Sequence, residues 1–144
     1  MVLYKDLSLE IELYNDLNVL YIEWFEQTVF RMSDFEFSFH IVMENIVQYR
    51  IKKILVKTSK TIIHLPNEEY LSVIGLLQSG LAHSRIRKIA KLFIDKSPRD
   101  LECKQFFKDM LNEMQLEIDF RNFDTKAEAL AWLKEDPAAL KNAS

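Results

Sequence analysis

Helix breakers and thiols are scarce in this 144-residue chain. It has two glycines (Gly75, Gly80), three prolines (Pro66, Pro98, Pro137) and one cysteine (Cys103). Two glycines build no glycine-rich phosphate loop, which removes P-loop and dinucleotide fingerprints. One thiol excludes a disulfide framework and a cysteine-built zinc site. No apolar run approaches the ~20 residues that span a bilayer. The segment Met1–Asp6 lacks the basic stretch, apolar core and small-residue cleavage site of a secretory signal, so the cytoplasm is the expected compartment. What the chain does have is a globular balance, 49% apolar and 28% charged. That is enough for one core and too short for a second. One domain is expected over residues 1–137, followed by a loose tail at 138–144.

Charge is spread unevenly around a net value of −3. Residues 1–49 carry 2 basic and 9 acidic groups, residues 50–99 carry 11 and 3, and residues 100–144 carry 6 and 10. A basic middle third suits a fold that sets it between two acidic flanks. The pI of about 5.6 argues against a nucleic-acid partner, whose binding domains are strongly basic.

Residues 8–14 alternate, with Leu9, Ile11 and Leu13 on one side, as in a half-buried strand. Residues 15–18, Asn-Asp-Leu-Asn, supply turn chemistry before a second strand at 19–25, with Leu20, Ile22 and Trp24 inward. The short connection makes the pair an antiparallel hairpin. Ser33 and Glu36 have capping-box spacing for a helix over about 34–49, its stripe formed by Phe35, Phe39, Val42, Ile46 and Tyr49. A third strand falls at 52–58. Pro66 opens a second helix with Tyr70, Ile74, Leu77 and Leu81 inward. A fourth strand at 87–95 presents Ala90, Leu92 and Ile94 as its more apolar side. Ser97-Pro98 starts a third helix with Cys103, Phe107, Met110 and Met114 inward. Residues 116–122 alternate as a fifth strand, and Asp124 or Thr125 caps a last helix that Asp136-Pro137 stops.

The expected fold is therefore single-domain α/β, in the order β-β-α-β-α-β-α-β-α. Right-handed crossovers make strands two to five parallel, giving a mostly parallel five-stranded sheet with an N-terminal antiparallel hairpin. Sheets covered on both faces have continuous apolar strands. Three strands here carry charge at every other residue, so the helices are expected on one face, with the other partly wet.

The stretch Phe123-Asp124-Thr125-Lys126-Ala127-Glu128-Ala129-Leu130-Ala131-Trp132-Leu133 resembles the ending "F-x-[ST]-x-x-E-A-L-x-W-L" of bacterial SpoIIAA-like proteins, the STAS domains. Arg87-Lys88-Ile89-Ala90-Lys91-Leu92-Phe93 is similar to that family's fourth strand, and the element order is also theirs. The resemblance implies a non-catalytic regulatory or docking module of the SpoIIAA-like fold, several of whose members are switched by phosphorylation. The family's switch serine lies in an Asp-Ser-Ser-Gly stretch after the third strand. The matching segment here, residues 56–61 (Val-Lys-Thr-Ser-Lys-Thr), keeps hydroxyls without the aspartate or glycine. The same broad fold occurs in lipid-carrying CRAL-TRIO domains, which adds an apolar ligand to the expectations.

Thr58, Ser59 and Thr61 with Lys57 and Lys60 form a candidate phosphorylation or anion site. Asp95 and Lys96 share with Lys57 and Thr58 the carboxyl edge of the parallel strands, where open α/β sheets place ligands. Arg50, Lys52, Lys53, Arg85, Arg87 and Lys88 gather at the opposite edge. His40, His64 and His83 show no convergent ligand set, so no metal and no cofactor is expected. Cys103 reads as a small core residue.

On the expected wet face, Tyr21, Phe25, Leu55, Lys91 and Phe93 form an apolar centre with a lysine, ringed by Glu10, Glu12, Glu23, Asp119 and Arg121. With Phe37 and Ile41 of the first helix, they make a candidate surface for a protein partner or self-association. The leading expectation is a non-enzymatic, STAS-like interaction module of a bacterial cytoplasm. The alternative is a carrier or sensor of a small apolar or anionic ligand.

Overall fold

The structure is a computed structural model that describes residues 1–135. The tail expected at 138–144 lies outside these residues. The N-terminal hairpin is built as its turn residues require. Asn18 adopts a left-handed backbone with φ of 53°, and the amides of Leu17 and Asn18 donate back to the Tyr14 and Asn15 carbonyls. The turn joins β2 (Leu9–Tyr14) to β3 (Val19–Trp24) in a register that runs from Leu9 opposite Trp24 to Tyr14 opposite Val19. A strand not expected from the sequence, β1 (Val2–Lys5), extends the hairpin antiparallel to β2, with a bulge between Val2 and Tyr4.

The chain continues through α1 (Met32–Gln48), β4 (Lys53–Lys57), the single turn α2 (Lys60–Ile63), α3 (Asn67–Ala82), β5 (Lys88–Leu92), α4 (Pro98–Met114), β6 (Asp119–Phe123) and α5 (Lys126–Lys134). The sheet has six strands rather than five, in the order β1 to β6. Pairings from β3 to β6 are parallel. The element order is thus β-β-β-α-β-α-α-β-α-β-α. Helix α1 starts at Met32 with no side-chain cap, so Ser33 and Glu36 do not form the expected box. Ser97 and Thr125 do cap α4 and α5, accepting from the amides of Asp100 and Glu128.

Helices cover both faces of the sheet, contrary to the one-sided arrangement expected. A large core joins Leu9, Ile11, Leu20, Ile22, Ile54 and Ile89 to α1, α3 and α4. A second core on the opposite face joins Val19, Tyr21, Leu55, Ala90 and Leu92 to Ala129, Trp132 and Leu133 of α5. The cause lies in the connections. The crossovers from β3 through β6 all step the same way, so their right hand places α1, α3 and α4 on one side. Helix α5 follows the last strand, belongs to no crossover, and folds back over β4, β5 and β6 on the other side. Gly80 lets α3 press against α1: a Cβ there would lie 2.7 Å from Phe39 Cζ and 2.9 Å from Met43 Sδ. Among the described residues, no helix is long and apolar enough to cross a membrane.

Candidate functional site

Strand β5 is hydrogen-bonded on both sides, and all five of its residues are buried. It carries two lysines three residues apart, which a strand sends to opposite faces. On the α5 side, Lys88 is 1% exposed. Its Nζ donates to the carbonyls of Trp132 at 3.0 Å and Glu135 at 2.9 Å, and lies 4.6 Å from the Trp132 ring centre. It closes the C-terminal end of α5, where unpaired carbonyls and the helix dipole favour a cation. Burial nonetheless pushes its ammonium below the usual lysine range, with Lys53 adding repulsion.

On the other side, Lys91 is 4% exposed, and its Nζ has no hydrogen-bond partner among the described residues. Burial pushes its ammonium down as well, with Asp100 acting in the opposite direction. An unpaired buried cation costs on the order of several kcal/mol. Lys91 borders a cavity of about 60 Å³ walled by Val42, Val73, Leu77, Ile89 and Phe107. The indole N–H of Trp24, also on this wall, is already donated to Ser38 Oγ at 3.0 Å. Thr58 Oγ1, at the end of β4, is buried without a partner among the described residues. Two unsatisfied polar groups thus face an otherwise apolar chamber beneath the carboxyl ends of β4 and β5. That is the form of a small-molecule site, where apolar walls hold a few convergent polar atoms.

Asp100 is buried nearby and has another task. Its Oδ2 accepts from the amides of Ile94, Asp95 and Lys96 at 2.7, 3.1 and 3.0 Å, fixing the β5–α4 loop in which Lys96 has φ of 53°. Its Oδ1 is buried with no hydrogen-bond partner among the described residues, so Asp100 acts on Lys91 through space without forming an ion pair.

The phosphorylation or anion cluster is assembled differently. Ser59 is buried and caps α2, accepting from the Ile62 amide at 3.2 Å. The Glu26 carboxylate takes the amides of Lys60 at 2.6 Å and Thr61 at 3.3 Å, while Thr61 Oγ1 donates to the Gln27 carbonyl. The amides that would greet an external anion therefore already hold an internal one. At the same edge Lys57 pairs with Glu23, Lys96 with Asp124, and His64 with Asp95 at 3.1 Å. Hydrogen bonds from Ser97, then His64, hold the Asp95 carboxyl well below the usual carboxylate range.

The candidate partner surface does not stand as expected. Tyr21 and Leu55 are buried beneath α5, and Lys91 lies on the other face of the sheet, inside the main core. Phe25 is half-buried, and Phe93 is half-buried with the ammonium groups of Lys96 and Lys104 over its ring. Ile41 packs partly against the main core, and Phe37 is 65% exposed on α1. At the other edge Arg50, Lys52, Arg85 and Arg87 are exposed while Lys88 is not. Cys103 is fully buried, as expected. His40 pairs with Glu44, and no group of three metal-ligating side chains converges among the described residues.

The phase expected for β5 puts Lys91 on the wet face and points Ala90 and Leu92 at the main helices; the structure reverses it. The signal against that phase is in the strand itself: both of its alternating sets hold apolar residues. No protein-family model, curated protein or solved structure matches the chain.

Proposed function

We propose that the chain is a non-catalytic, STAS-like module of a bacterial cytoplasm that carries or senses a small, largely apolar anion in the chamber beside Lys91. One observation carries this reading. A lysine is held in the main core with no hydrogen-bond partner for its Nζ among the described residues, beside a cavity with apolar walls. Lysine is almost never fully buried unless paired, and an unpaired one has strong reason to be matched by a bound group. The STAS-like part rests on the strand–helix order after β1 and on the 123–133 segment, in which Thr125 caps α5 and Trp132 and Leu133 pack on the sheet. Docking through the sheet face is not supported, because α5 covers β4, β5 and β6 there. Of the candidate surface residues, Phe37 of α1 is the one left strongly exposed.

Native mass spectrometry of the purified protein tests the reading. The wild type is expected to retain an adduct under gentle ionisation that Lys91→Met loses, both being folded by circular dichroism. Bare-chain masses for both, before and after incubation with short organic acids, would count against it.

A further inference from the structure

Resting on that reading, we infer that the occupant is a short monocarboxylate of about four to six non-hydrogen atoms, with its carboxylate on Lys91 and Thr58 and its alkyl end among Val42, Val73 and Leu77. Size comes first. A water needs about 10–15 Å³ of such space, and the cavity has about 60 Å³. Propionate and butyrate fall in that range, whereas a long-chain fatty acid does not.

Charge comes next. Lys91 offers donors only, and a carboxylate is acceptor-only with two oxygens. Thr58 Oγ1 can donate to the second of them. Asp100 Oδ2 is engaged by three amides, and its buried Oδ1 makes no hydrogen bond with Lys91, so the Nζ keeps its donors for a ligand. A dianion such as phosphate would bury a second charge that nothing in the wall meets. A sugar or an amino acid would strand hydroxyl or ammonium groups against Val42, Val73 and Ile89, each without a partner. An alkyl chain matches these walls. Phe39, Met43 and Leu77 are half-buried where α1 meets α3, and that seam is the route in.

The test is a methyl-resolved NMR titration of the full chain with sodium acetate, propionate, butyrate, hexanoate and octanoate, and with butan-1-ol as the uncharged counterpart of butyrate. The expected result is saturable shifts at the methyls of Val42, Val73 and Ile89, tightest for propionate or butyrate. Butyrate should bind about tenfold or more tightly than butan-1-ol, since a hydrogen bond to a charged group is lost in the alcohol. Lys91→Met should remove that preference and leave alcohol binding in place. Val42→Phe, which fills the chamber and keeps Lys91, should abolish the shifts with either ligand. Equal binding of acid and alcohol, or affinity that keeps rising to octanoate, overturns the short-carboxylate assignment while the chamber reading stands. No shift at these methyls with any congener overturns both. If either variant fails to fold, as its amide spectrum would show, the wild-type comparison of butyrate with butan-1-ol decides.

Discussion

The two faces of β5 treat the same side chain in opposite ways. Lys88 reaches the end of α5 and meets two carbonyls and an indole ring; Lys91 reaches the larger core and meets none of these. Both are buried on one five-residue strand, so burial does not separate them. What separates them is whether a helix terminus stands opposite. Helix α5 delivers its last carbonyls to the outer face of β5. Helices α1, α3 and α4 present apolar flanks to the inner face. A buried lysine is thus a structural clip on one side and an unmet charge on the other.

Substitutions can break this contrast. The largest effect belongs to the outer core. Trp132→Ala should cost about 3–5 kcal/mol in urea unfolding, because it removes a buried indole and the roof over Lys88. Lys88→Met should come next, at about 2–3 kcal/mol, since the Trp132 and Glu135 carbonyls lose a charged donor. If Lys88→Met left the unfolding midpoint unchanged, the clip would be fictitious.

Lys91→Met is expected to move the other way, raising stability by about 1–2 kcal/mol near neutral pH in the absence of ligand, because it replaces an unpaired buried charge with an apolar chain of similar length. Its pH dependence sharpens the point. The folded chain holds Lys91 below its ordinary value of 10.5, so between the folded value and 10.5 the unfolded chain binds more protons. The wild type therefore gains stability from this group as pH rises through that window. The advantage of Lys91→Met should shrink as pH rises toward 10.5. A constant difference across that range would show that Lys91 keeps an ordinary titration in the fold. The smallest effect is expected from Thr125→Ala, about 1 kcal/mol, which frays the first turn of α5 and leaves the inner chamber untouched.

The sequence was legible where one periodicity spoke alone. In β2 and β3 the residues expected inward, such as Leu9 and Ile22, do pack against the main core, and the stripes of α1, α3 and α4 fall where spacing puts them. It misled at β5, because Lys-Ile-Ala-Lys-Leu alternates plausibly in either phase and lysine reads as a solvent residue. The second core escaped for a related reason: with Tyr21 and Leu55 expected on a wet face and Ala90 and Leu92 on the other, no apolar patch remained for α5 to cover. Strand β1 escaped notice because an edge strand of four residues needs little apolar patterning; its pairing comes from β2. The hydroxyls near residue 60 were found, but Glu26 is far from them in sequence and adjacent only after β3 pairs with β4. The chamber itself leaves no local pattern, since its walls come from four helices and three strands.

The kink between Val2 and Tyr4 has a consequence for crowded solutions. A regular margin of free amides and carbonyls is a template on which a visiting strand can zip. Here the spacing slips by one residue near its start, so a copy that docks in step at one end falls out of step at the other. Growth of the sheet from molecule to molecule is discouraged by backbone geometry, before any side chain is consulted.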